Sequence, residues 1–184
     1  MAHIEPHHGF STRCIHAGQS PDPVTGAVMP PVSFSSTYAQ SSPGEHAGFE
    51  YSRSHNPTRY AWERCIARLE GSELGESDDV TFGGFAFASG LAAIATLLDH
   101  LPANAKVVAS DDLYGGTHRL FRQVRAHSAG LRFEFVDASD LNQVADAVDA
   151  ETALIWVETP TNPMLKVVDL AAIAAIGKGH GILT

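Results

Sequence analysis

The chain has 184 residues, 44% apolar and 18% charged, which suits one compact domain with a hydrophobic core and excludes a disordered tail. Its 12 basic and 21 acidic residues give a net charge of −9, the wrong balance for a domain that grips nucleic acid with clustered Lys and Arg. No apolar run nears the roughly 18 residues of a membrane span. The opening Met1-Ala2-His3-Ile4-Glu5-Pro6 lacks the basic and apolar regions of a secretory signal, so the expected compartment is the cytoplasm.

In chain order, His3, His7 and His8 lie in a histidine-rich terminus and are assigned no role. Phe10 to Asn56 is rich in Ser, Pro, Gly and Thr, with aromatic islands at Phe34 and Tyr38 and no sustained periodicity. Residues 1–56 therefore read as an extended arm with too few apolar anchors to fold alone, laid on another body or subunit. Residues 57–184 read as the folded domain. Cys14 and Cys65 are far apart in sequence with no CxxC pair, so buried free thiols are expected rather than a disulfide framework or a metal site.

Pro57 to Leu69 has the pattern of a helix, with proline in its first turn and Gly71 just past its end. Gly71 to Gly84 is a polar loop carrying Glu73, Glu76, Asp78 and Asp79. A short strand is predicted over Phe85–Ala88. Ser89 then opens a helix with apolar Leu91, Ile94, Ala95, Leu98 and Leu101 at helical spacing. Strands over Lys106–Ala109, Leu131–Val136 and Ala153–Val157 alternate with helices over Gly115–Ala126, Asp140–Val148 and Asp169–Gly177. Such alternation implies an α/β fold, a mostly parallel sheet with helices on both faces. Gly181-Ile182-Leu183-Thr184 reads as the opening of a further buried strand, as expected of a fragment.

Open parallel sheets bind ligands at the carboxyl ends of their strands, and three clusters fall there. Ser89-Gly90-Leu91 offers a hydroxyl, an open backbone and a helix N-terminus suited to phosphate. Tyr114-Gly115-Gly116-Thr117 places a ring that can stack on a flat ligand. Glu158-Thr159-Pro160-Thr161-Asn162-Pro163 is a stiff loop with hydrogen-bonding groups at its mouth. In the arm, Tyr51 and Arg53 form a fourth cluster, a phenol and a guanidinium able to clamp a phosphate. Each has an ordinary reading when taken singly: an N-cap, a loop aromatic, a rigid turn, a paired surface arginine.

In their order and spacing the four clusters resemble the pyridoxal-phosphate enzymes of cysteine and methionine metabolism, the group of cystathionine γ-lyase, γ-synthase and β-lyase. The resemblance runs from about Thr12 to Thr184. It rests on Gly26-Ala27-Val28-Met29-Pro30-Pro31, Phe49-Glu50-Tyr51-Ser52-Arg53, Asn56-Pro57-Thr58, Phe87-Ala88-Ser89-Gly90, Asp112-Leu113-Tyr114-Gly115-Gly116-Thr117 and Glu158-Thr159-Pro160-Thr161-Asn162-Pro163. The family fold it implies is the fold type I large domain, here its N-terminal part.

The resemblance implies pyridoxal 5'-phosphate as cofactor and a small, cystathionine-like amino acid as substrate. It assigns the phosphate to Ser89, Gly90 and Leu91, with Tyr51 and Arg53 reaching over from a neighbouring subunit of a homo-oligomer, dimer or tetramer. Tyr114 would stack on the ring and assist proton transfer, Asn162 would bond near the ring's phenolic oxygen, and Glu158 would support the loop. Arg119 is a weaker, substrate-side candidate. Leu91 stands where the family often has methionine, and the acidic loop before Phe85 is long for the family.

Family members also carry a lysine in a Ser-x-Thr-Lys string that forms an imine with the cofactor. Lys106, Lys166 and Lys178 are the only lysines, and none has those neighbours. By family order that lysine, the aspartate facing the pyridine nitrogen and the arginine gripping the substrate carboxylate lie beyond Thr184. The expected activity is carbon–sulfur cleavage of the cystathionine γ-lyase type, ahead of γ-replacement, with β-elimination further down. These 184 residues alone are expected to be inactive, and an inactive binding or assembly fragment is the competing reading. No GxGxxG or Walker string supports a nucleotide-binding domain.

Overall fold

The computed structural model describes residues 9–71 and 83–184. The expected acidic loop, with Glu73, Glu76, Asp78 and Asp79, and the terminal His3, His7 and His8 lie outside the described residues. Contacts divide the chain into two units, one ending at Ala86 and one running from Phe87 to Thr184.

In the first unit, α2 (Pro57–Leu69) has the expected bounds. Asn56 caps it, its side chain accepting from the Thr58 and Arg59 N–H groups at 2.9 and 3.1 Å, with proline following in the first turn. The supposedly extended arm contains a helix, α1 (Phe10–His16), which packs on α2. Seven residues with several weak helix formers and no side-chain cap carry little helical signal of their own. Tertiary contact supplies it. Gly18, in the left-handed region at φ +70°, brings the chain so close to α2 that a Cβ there would strike the Arg64 and Cys65 backbone. Both cysteines are free, yet only Cys65 is buried; Cys14 is exposed, as short α1 buries none of its residues. A two-stranded antiparallel ribbon, β1 (Gln40–Ser42) and β2 (Glu45–His46), completes the ordered elements of the arm.

Phe85–Ala88 forms no strand. Phe85 is 81% exposed, and the segment has no ladder partner among the described residues. An apolar run without a neighbouring edge to pair with gains nothing from β geometry.

The second unit holds α3 (Gly90–Leu98), β3 (Lys106–Ser110), α4 (Gly115–Arg119), α5 (Ala126–Ser128), β4 (Arg132–Val136), α6 (Leu141–Ala147), β5 (Thr152–Trp156) and α7 (Leu170–His180). The helix expected over Gly115–Ala126 is continuous in space, but Leu120–Arg125 between α4 and α5 is π-helical. The sheet is parallel throughout, in the order β4-β3-β5. Leu183 adds an isolated parallel bridge to Leu154, and the Ile155 N–H donates to the Leu183 carbonyl at 2.9 Å, so the strand expected at Gly181–Thr184 is seen as this single bridge.

Alternation along the strands builds a core on each face. Val107, Ala109 and Leu154 pack with Leu98 of α3 and Phe121. Val108 and Ile155 pack with Val144 of α6 and Ile173 of α7. Helices thus cover both faces, which leaves the carboxyl ends of the strands as the open rim where loops gather.

Candidate functional site

At that rim lies a cleft of about 330 Å³ lined by Ser89, Gly90, Leu91, Ile94, Tyr114, Thr117 and Glu158. Ser89 caps α3, its Oγ accepting from the Ala92 N–H at 3.2 Å, which leaves the hydroxyl proton free to donate. The N–H groups of Gly90 and Leu91, in the first turn, have no intrahelical acceptor and form an anion-binding corner. Tyr114 is half exposed, and its ring lies over Gly116, so close that a Cβ on that residue would strike it.

Glu158 fixes this arrangement. One carboxylate oxygen accepts from the Tyr114 N–H at 3.0 Å and the other from the Thr117 hydroxyl at 3.1 Å. The loop after β5 thereby holds the loop after β3. A second latch lies behind it: Asp112 accepts from the Thr161 hydroxyl and from the Met164 N–H at 2.9 Å. Thr161, 2% exposed, also accepts from the Lys166 N–H at 2.8 Å.

The structure thus brings together Ser89, Gly90, Leu91, Tyr114 and Glu158. Asn162, on the Glu158 loop, is exposed and does not line the cleft, and neither does exposed Arg119 on α4. Tyr51 and Arg53 adjoin each other in the first unit, the Arg53 guanidinium 5.1 Å from the Tyr51 ring centre and its Nη2 3.4 Å from the phenol oxygen. Ile94 and Thr117 were given no role by sequence. Thr117, three residues after Tyr114 at the N-cap of α4, lines the same cleft. The Asp112–Thr161 pairing spans 49 positions and had no signal in the sequence.

Neither Lys106 nor Lys166, each held in two ion pairs, lines the cleft. Lys106 opens β3 at the amino ends of the strands, where its Nζ meets Asp149 at 2.7 Å and Glu134 at 2.8 Å. Burial alone would lower its pKa, but the two carboxylates outweigh this and raise it. Lys166 bridges Asp111 at 3.1 Å and Asp137 at 3.0 Å, and these partners raise its pKa. Lys178 is exposed on the last turn of α7.

The Ser139 hydroxyl, then Lys166, pull the Asp137 carboxyl from its ordinary 3.8 down to about 2. A carboxylate held low stabilises the fold above its unfolded pKa and loses that contribution as pH falls toward the folded value. Stability is therefore expected to drop between pH 3.8 and about 2, and Asp137→Asn to flatten part of that slope. Urea midpoints measured across this range check it; an identical acid profile for the variant contradicts the assignment.

The cleft fits an elongated anion carrying a flat ring: donors at a helix N-terminus, an aromatic face, and a volume within the range of small-ligand sites. Comparison with known proteins identifies the group. The family model for Cys/Met metabolism PLP-dependent enzymes matches residues 11–184. The chain belongs to this family.

Among its relatives in the Cys/Met metabolism family, a Coxiella burnetii protein named cystathionine beta-lyase is 58% identical over 95% of this chain and 43% of its own length. A probable cystathionine gamma-synthase of Herpetosiphon aurantiacus is 48% identical over 96% of this chain and 52% of its own. The Homo sapiens cystathionine gamma-lyase is 47% identical, over 94% and 40% respectively. The crystal structure of cystathionine gamma-lyase from Lactobacillus plantarum complexed with L-serine superposes with a TM-score of 0.85 at 42% identity, covering 96% of this chain and 43% of that one. The chain thus spans between two-fifths and about half the length of these relatives. The family is pyridoxal-phosphate dependent, and its α/β fold with a parallel sheet is the one observed here. No helix among the described residues is long and apolar enough to cross a membrane.

Proposed function

We propose that this chain supplies the phosphate and ring-face side of the cofactor site in a pyridoxal-phosphate-dependent carbon–sulfur lyase of trans-sulfuration, acting on a cystathionine-like amino acid. The convergence of Ser89, Gly90, Tyr114 and Glu158 on one cleft at the sheet rim carries this reading. When bound, the cofactor acts as an electron sink for the substrate. Ser89 and the Gly90 and Leu91 N–H groups hold its phosphate, and Tyr51 and Arg53 of a neighbouring subunit complete the clamp. Tyr114 covers the ring and carries a proton at its phenol oxygen, while Glu158 keeps that ring in place and Asn162 bonds beside the cofactor's phenolic oxygen. Arg119 remains a substrate-side candidate. The nearly full exposure of Val24 and Phe34, 90% and 93%, supports an arm, residues 1–56, that packs on another subunit of a homo-oligomer.

Cleavage at the γ-carbon is the favoured chemistry. The 58% identity to a protein named cystathionine beta-lyase supports β-elimination as a second reading. Products separate them. Given L-cystathionine, a full-length protein, carrying this chain together with the remaining length found in its relatives, is expected to release cysteine, 2-oxobutyrate and ammonia; homocysteine, pyruvate and ammonia would replace the γ reading with the β one, and no cleavage would reject both.

The 184 residues alone are expected to be inactive, since neither Lys106 nor Lys166 is a free amine at the cleft and Lys178 does not line it. Borohydride reduction of this chain with pyridoxal phosphate, followed by peptide mapping, is expected to show no stoichiometric adduct at one lysine. Such an adduct together with turnover would overturn this.

A further inference from the structure

Arg59, on the first turn of α2, makes contacts that neither helix formation nor charge balance requires. Its Nη1 donates to the carbonyls of Ser52 and Arg53, each at 3.2 Å, and its Nη2 to the carbonyl of Ser54 at 2.6 Å. Three successive carbonyls are thus gripped by one planar fork, a geometry open to arginine and closed to lysine. The remaining guanidinium edge, Nε, pairs with Glu63 at 3.4 Å, one helical turn on. Glu63 is 7% exposed, and the same oxygen accepts from the Ala86 N–H at 2.9 Å. The Tyr51–Ser54 turn is further closed by the Ser54 and His55 N–H groups bonding to the Tyr51 carbonyl at 3.0 and 2.8 Å.

We propose that Arg59 is a positioning residue for the phosphate clamp: by gripping the carbonyls of Ser52, Arg53 and Ser54 it presets the backbone from which Tyr51 and Arg53 project, and buried Glu63 fixes the fork. The proposal rests on the reading of Tyr51 and Arg53 as phosphate ligands. Preset side chains bind without first losing conformational freedom, so the loss on substitution falls on affinity for the phosphate. A purely structural role would weaken the fold without distinguishing one ligand from another.

The test compares pyridoxal phosphate with pyridoxal, which lacks the phosphate, by titrating the full-length protein and its Arg59→Gln, Arg59→Lys, Arg53→Gln and doubly substituted Arg53→Gln/Arg59→Gln forms. Arg59→Gln is expected to weaken pyridoxal phosphate by about tenfold, the scale of one charge-assisted hydrogen bond, with pyridoxal changed less than about twofold. Arg59→Lys should recover little, and Arg59→Gln should add little once Arg53 is already replaced. Equal losses for both ligands, or a full additive loss in the double variant, would overturn the proposal while leaving the clamp intact. If Arg53→Gln leaves pyridoxal phosphate binding unchanged, the clamp reading itself falls, and the proposal with it. Should Arg59→Gln not fold, Glu63→Gln provides the same comparison with the fork's anchor weakened, and a phosphate-independent loss there counts against the proposal.

Discussion

Replacing Glu158 with alanine is expected to weaken pyridoxal phosphate binding by the full-length protein by roughly ten- to a hundredfold. Each carboxylate oxygen has a donor, the Tyr114 N–H at 3.0 Å and the Thr117 hydroxyl at 3.1 Å. Thr117 is 1% exposed with Glu158 in place, so its hydroxyl depends on that carboxylate as acceptor. Leaving such a group unpaired costs about 1–3 kcal/mol, and about 1.4 kcal/mol is a factor of ten in affinity. The loss falls on binding because the loop that carries the Tyr114 ring is released. Glu158→Gln keeps one acceptor and turns an N–H₂ toward the other donor, so an intermediate loss is expected. Titration of the apo-protein with cofactor, with thermal unfolding alongside, measures both. Wild-type affinity in Glu158→Ala would mean that the ring's position does not depend on the loop after β5.

The largest effect on stability is expected from Phe121→Ala. Phe121 is fully buried, stacked on Phe133 with ring centres 4.5 Å apart and set edge-on to Trp156 at 6.0 Å. Truncating a buried phenylalanine costs roughly 3–5 kcal/mol through lost transfer energy and the cavity left behind. That is a large share of the ~5–15 kcal/mol that holds a domain together. Phe121 lies on the π-helical segment that continues α4, the helix that follows Tyr114 and bears Thr117. Phe121→Leu, which keeps most of the volume, is expected to cost under about half as much. Chemical denaturation of the two variants decides it; a loss below about 1 kcal/mol for the alanine variant would contradict the packing described, which leaves little room to collapse.

Two functional latches explain why the motif strings contain residues with no ligand to hold. Asp112 sits beside Tyr114 in sequence, yet its carboxylate is spent on Thr161 and Met164. Asn56 opens the Asn56-Pro57-Thr58 string, where it caps α2 and donates to the Ser33 carbonyl at 3.3 Å, while Thr58 donates to the Pro31 carbonyl at 3.1 Å. These side chains work on the backbone. The groups proposed to face the ligand, Ser89 and Tyr114, are few, and their positions depend on such neighbours.

Local chemistry sufficed for α2, α3 and α7, since a capping side chain at Asn56, Ser89 or Asp169 and helical apolar spacing act within one or two turns. It sufficed equally for β3 and β5, whose apolar runs are largely buried, for edge strand β4, where exposed Arg132 and Glu134 alternate with Phe133 and Phe135, and for the placing of Ser89, Tyr114 and Glu158 after helix caps and strand ends. Tertiary structure alone decided that Phe10–His16 is helical and that Phe85–Ala88 joins no strand ladder among the described residues, because a partner surface, or the lack of one, outweighs the weak propensity of a short segment. It alone joined Glu158 to Tyr114, 44 positions away, and aimed the Arg59 fork at three carbonyls. Hydrogen bonds of that reach depend on how distant loops meet in space, and residue types at fixed spacing carry no record of it.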